Sequence, residues 1–175
     1  MHKFYKKALM KGIEDMPLRL LIIVIVLAII LPIIFELFIS YDNNSTYNSS
    51  IQTASTLANY IHNIYSSNVN SSMNVQISFH SGFYTKITKV IIGDSLKGQY
   101  SSTIRVFFNN RAPLLYVIDN PNVKVSSYAC NNTWQGLTIG GDQQYTLHLV
   151  DEQLPSGYGF GTFVEISVIS PTSTC

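Results

Sequence analysis

The sequence predicts an α+β protein: an N-terminal transmembrane helix, a short amphipathic helix, then an antiparallel, mainly β, sandwich-like head domain. Three observations carry that expectation. Leu20 to Ile39 is an apolar run interrupted by a single acid, Glu36. Ile51 to Tyr65 places Ile51, Ala54, Leu57, Ala58, Ile61, Ile64 and Tyr65 at helical spacing, and from Met73 onward the apolar period falls to two. The organisation that follows is a basic cytoplasmic arm over 1–19, a span over 20–39, a polar linker over 40–50 and an extracytoplasmic head over 51–175.

The span comes first because it fixes the rest. About 20 residues at about 1.5 Å each cover roughly 30 Å, the hydrocarbon thickness of a bilayer. Lys3, Lys6, Lys7, Lys11 and Arg19 precede it against Glu14 and Asp15, whereas the charges beyond it nearly cancel. The positive-inside rule then puts the N-terminus in the cytoplasm and the head outside, a single-pass cell-membrane topology. Arg19 and Leu20 mark the inner edge of the anchor and Ile39 its outer edge. Pro32 takes away the hydrogen bond to the Ala28 carbonyl and predicts a kink. A mid-bilayer carboxylate costs several kcal/mol, so Glu36 is expected near the outer interface or against a partner helix.

Ahead of the span, Phe4, Ala8 and Leu9 share one helical face with lysines elsewhere, an arm suited to anionic headgroups. As a structural glycine, Gly12 ends this arm, with Asp15 capping the next helix and Pro17 in its first turn. As a processing site, Lys11-Gly12 followed by Ile13 resembles the cleavage junction of prepilins, the class III signals of archaeal type IV pilins and archaellins. The resemblance covers about the first 40 residues and the helix-then-β layout, and rests on a short motif. Pilins run from the cleaved glycine straight into apolar sequence with glutamate at the fifth position; here Ile13 to Arg19 intervenes and Pro17 holds that place. It implies a minor or accessory filament subunit, with other pilin-like subunits, a prepilin peptidase and an assembly platform as partners besides the lipid bilayer.

Tyr41 to Ser50 is rich in Asn, Ser and Thr, whose short side chains compete for backbone hydrogen bonds, so it reads as a linker that breaks any stalk. Beyond the 51–65 helix, strands are expected at Val75–His80, Ile87–Ile92, Thr103–Phe108, Leu114–Ile118, Val123–Tyr128, Tyr145–Val150 and Thr162–Ile169. Turns at Ser81-Gly82, Gly93-Asp94, Asn109-Asn110, Asn120-Pro121, Gly140-Gly141 and Pro155-Ser156-Gly157 separate them.

Chemistry is sparse. A near-neutral chain, at net charge +1, argues against nucleic acid. His2, His62, His80 and His148 lack ligand spacing, and no serine sits in a nucleophile elbow, so no catalytic residue, cofactor or metal is expected. Asp142, Asp151 and Glu152 offer oxygens for calcium, but solvated loops supply such acids anyway. Gly157-Tyr158-Gly159-Phe160-Gly161 is an aromatic hairpin loop rather than a phosphate cradle, because no helix follows it. Cys130 and Cys175 are a candidate disulfide for an oxidising exterior, closing about 45 residues for about 4 kcal/mol. N-glycosylation triplets at Asn43, Asn44, Asn48, Asn70 and Asn131 cluster toward the membrane. The alternative to a filament subunit is an uncleaved, signal-anchored surface domain for envelope structure, adhesion or ligand binding.

Overall fold

The computed structural model describes residues 2–118, 122–129 and 133–169, with side chains from residue 17 onward. Helix α1 runs His2–Tyr65, and among the described residues nine strands follow: β1 Ser72–Ser78, β2 Ile87–Ile92, β3 Thr103–Phe108, β4 Leu114–Val117, β5 Val125–Tyr128, β6 Trp134–Gln135, β7 Leu137–Ile139, β8 Gln144–Gln153 and β9 Thr162–Val168. The chain divides into two compact units, one ending at Tyr41 and one starting at Asp42.

In the first unit, every large apolar side chain from Leu18 to Phe38 is exposed. An exposed apolar surface of this extent marks a contact with membrane or protein. The segment is long and apolar enough to cross a membrane, with none of it buried by the protein itself. Pro17 and Pro32 both lie inside the helix. The helix also passes through Gly12, so that glycine terminates no arm and Asp15 caps no second helix.

The expected linker is not there. Tyr41 to Ser50 is helical, and the helix expected over 51–65 is the end of α1 rather than an element of its own. The polar side chains that should compete with the backbone are engaged elsewhere. Asp42 accepts from the amides of a loop, Asn43 Oδ1 accepts from the Thr85 hydroxyl and from Asn110 Nδ2, and Ser50 Oγ donates back to the Thr46 carbonyl at 2.8 Å. Thr46 and Ser50 are buried, and with Ala54, Leu57, Ala58, Ile61 and Ile64 they form one buried stripe. Tertiary contacts thus override the local preference. After Tyr65 the helix closes on Ser66 N–H to the His62 carbonyl at 2.9 Å, and Asn70, at φ 70°, turns the chain into β1.

The strands form two sheets, β1-β8-β9-β5-β6 and β4-β3-β2-β7. Most pairs are antiparallel, as expected, but β5 and β9 run parallel with Val125 opposite Val164. Alternation decides the faces: Val75 and Ile77, Val90 and Ile92, Ile104, Val106 and Phe108, and Leu147 and Leu149 point inward with the helix stripe into one hydrophobic cluster. β6 and β7 were not foreseen. They are too short for a period to register, and Gly136 between them carries the chain from one sheet to the other. A Cβ at Gly136 would lie 2.7 Å from the Gly93 carbonyl oxygen, so only glycine fits that crossing.

Candidate functional site

Two places in the second unit gather polar chemistry, at opposite ends of the Asp42–Tyr65 stretch of α1 and about 35 Å apart along its axis. The first is the loop between β1 and β2. Asp42 Oδ1 accepts from Phe83 N at 2.7 Å, and Oδ2 from Tyr84 N at 3.0 Å and Thr85 N at 2.9 Å. A turn of three converging amides is a small anion nest, and here a side chain of the same chain fills it. Burial pushes the Asp42 carboxyl up, but the three amides together with the charge of Lys86 outweigh it and hold it below the ordinary aspartate value. Gly82 sits so close that a Cβ there would overlap the Asp42 carboxylate and the Thr46 hydroxyl.

Asp142, at φ 61°, holds the same loop from the other side. Its Oδ1 accepts from Ser81 N at 2.6 Å, and its own N–H donates to the Phe79 carbonyl at 2.8 Å. The Ser81 amide first, then the Ser81 hydroxyl and the charges of Lys86 and His80, keep this carboxyl low. Lys86 Nζ closes the turn on the Gly82 carbonyl at 2.8 Å. Arg111 completes the cluster by lying 3.9 Å over the Tyr47 ring while donating to the Asn43 carbonyl at 3.1 Å.

The second place is a cleft of about 380 Å³ beside the β8–β9 hairpin, lined by Tyr65, Asn122, Lys124, Leu154, Tyr158, Phe160, Gly161 and Thr162. Gly157, Gly159 and Gly161 take φ of 96°, 105° and 131°, conformations that let the tip fold back and present Phe160 fully to solvent. Lys97 stacks 4.8 Å from the Tyr158 ring centroid and steadies the aromatic wall. Aromatic faces beside an amide, an ammonium and a hydroxyl suit a polar ligand with an apolar face. Among the described residues its lining contains no carboxylate, histidine or cysteine.

Comparison with family models, curated proteins and solved structures finds no match.

The residues singled out in the sequence fall as follows. Lys11, Gly12 and Ile13 lie on helical backbone. Arg19, Leu20, Pro32 and Glu36 are exposed on α1 and Ile39 is half-buried. Asn43 is half-buried with its side-chain oxygen committed to the loop, whereas Asn44, Asn48 and Asn70 are exposed. Cys130, Cys175 and Asn131 lie outside the described residues. The acids considered for calcium are not brought together: Asp142 precedes β8 and binds the loop, while Asp151 and Glu152 lie toward the far end of that strand. Among the described residues no group of His, Cys, Asp or Glu is placed to hold a metal. His148 Nδ1 meets Asn74 Oδ1 at 2.6 Å and His80 Nε2 meets Ser78 Oγ at 3.3 Å, on separate strand positions.

Sequence reasoning gives no sign of the role of Asp42, which lies in the stretch that reads as a linker, or of the burial of Asp151. Asp151 points inward beside Leu147 and Leu149, with one carboxylate oxygen buried and unpartnered. Burial raises its pKa, offset in part by the Thr162 hydroxyl. Glu165 is also raised, by burial and then by the charge and hydrogen bond of Glu152 on the neighbouring strand.

Proposed function

We propose that this chain is a single-pass, membrane-anchored surface protein of pilin-like layout, a minor or accessory subunit of an archaeal type IV filament or related surface structure, with a sandwich-like head outside the cell. The observation that carries the reading is the continuity of α1. The helix that holds the apolar run also continues to Tyr65, and its last turns supply Leu57, Ala58, Ile61 and Ile64 to the core of the head. A helix that carries the apolar run and goes on to supply the core of the head supports a pilin-like layout. The bilayer, other pilin-like subunits and an assembly platform are the partners of this reading, with a prepilin peptidase acting at Lys11-Gly12. It assigns no enzymatic activity to the chain.

N-terminal sequencing of protein extracted from membranes tests it. A chain beginning at Ile13, sedimenting with shed filaments, is the expected result; a chain retaining Met1 and absent from filaments overturns it. The cleft under Phe160 favours the second reading, an uncleaved anchored domain for adhesion or ligand binding. That reading expects the retained Met1 and a soluble ligand whose binding is lost in Phe160→Ala.

A further inference from the structure

Phe83 is an apolar ring held out in solvent by a loop that cannot easily withdraw it. The side chain is 72% exposed, and its ring neighbour is Tyr84, edge-on at 5.0 Å. The backbone beneath it is tied from several directions: its own N–H and the next two to Asp42, Ser81 N to Asp142, Ile87 N to Ser81 Oγ at 2.9 Å, and Lys86 Nζ to the Gly82 carbonyl. A flexible loop can fold an aromatic ring back onto the protein. This one is locked with the ring outward.

The lock is made at a particular point along the chain. Asp42 follows Ile39, the last residue of the apolar run, by a helical rise of about 4.5 Å, and even a fully extended chain would add only about 11 Å. The headgroup layer on each side of a bilayer is about 5–8 Å deep, the depth at which amphipathic aromatic rings concentrate. We propose that Phe83, with Tyr84 beside it, seats in the headgroup layer of the bilayer that holds Leu20–Ile39, and that Asp42 is the positioning residue that aims the loop. The proposal rests on the membrane-anchor reading and adds a second, head-borne contact with the same membrane.

Full-length Phe83→Trp protein, reconstituted in vesicles of phosphatidylcholine and phosphatidylglycerol, tests it by quenching with lipids brominated either near the headgroup or near the chain end. The emission added over wild type, which contributes Trp134, should shift to the blue and lose about half its intensity to the headgroup-side bromines, and less to the deep ones. Phe160→Trp, at an exposed aromatic between β8 and β9, should gain neither change. Added emission that no brominated lipid quenches, with the protein still in the membrane after alkaline extraction, overturns the proposal and leaves the anchor standing. A blue shift without quenching does the same and assigns the ring to a protein neighbour. Release of the protein by alkali overturns the anchor and this contact together. Tryptophan at an exposed position spares the core, and Phe83→Ser, which should restore access of a soluble spin probe to Tyr84, supplies an independent readout.

Discussion

Replacing Asp42 with alanine takes away the acceptor of three backbone amides at once. Hydrogen bonds to a charged group are worth about 1.5–3 kcal/mol each, and three on one carboxylate are not additive, while water reaches part of this group and screens it. A loss of about 2–4 kcal/mol follows, or about 6–15 °C in Tm for a head of this size. Thermal unfolding of the full chain in mild detergent, followed by near-ultraviolet circular dichroism, measures it, and hydrogen exchange at Phe83, Tyr84 and Thr85 should accelerate in step. Asp42→Asn keeps one acceptor and should lose about half as much. The pH dependence has a fixed sign. The carboxyl is lower in the folded state than in the unfolded chain, so its contribution is present above the ordinary aspartate pKa of about 3.9 and disappears as pH falls through the folded value. The gap between wild type and Asp42→Asn should therefore close on acidification. A Tm shift below about 2 °C for Asp42→Ala at neutral pH would refute the assignment of this residue as the acceptor that holds the loop.

Other substitutions probe separate parts of the molecule. Gly82→Ala forces a methyl group into the Asp42 carboxylate and Thr46, and should cost about 1–3 kcal/mol in the same melt. Asp151→Asn removes a buried carboxyl whose pKa is raised in the fold. Wild type loses stability as pH climbs from the ordinary carboxylate range through the folded value, so the variant's advantage should grow with pH to about 1–3 kcal/mol, and an advantage that shrinks with pH contradicts the assignment. Leu57→Ala, at a fully buried position of the helix stripe, should cost about 2–5 kcal/mol by denaturant melt. Phe160→Ala should leave Tm unchanged within about 1 °C, because its side chain contributes no burial to the core.

The parts of the fold legible in the sequence are those where one periodicity runs long enough to dominate. The apolar run, the 3-4 spacing of Ile51 to Tyr65 and the strands at Ile87–Ile92 and Thr103–Phe108 all have that property; the two strands match in their bounds, and the two helical stretches fall within one longer helix. Tyr41 to Ser50 misled because its local chemistry favours turns, whereas the loop that consumes Asp42 and Asn43 lies some 40 residues away in sequence and is invisible to any window. β6 and β7 escaped because a two-residue and a three-residue strand carry no period. The cleft was partly legible: the glycine-rich aromatic segment stood out as a hairpin tip, but Tyr65, Asn122 and Lys124 come to it from other elements and no spacing links them.

The position of β9 governs how this head is made. It lies between β8, its antiparallel neighbour, and β5, its parallel one, and it follows every other described strand in sequence. Without Thr162–Val168, β1-β8 and β5-β6 are two fragments with open edges facing a gap of one strand, and Val125 lacks its partner Val164 across the ladder. Completion of the five-stranded sheet therefore waits on a non-local parallel pairing, Val125 with Val164, of high contact order. While that slot is vacant it can accept another strand of matching alternation, so β9 is the strand by which two copies of this head would exchange.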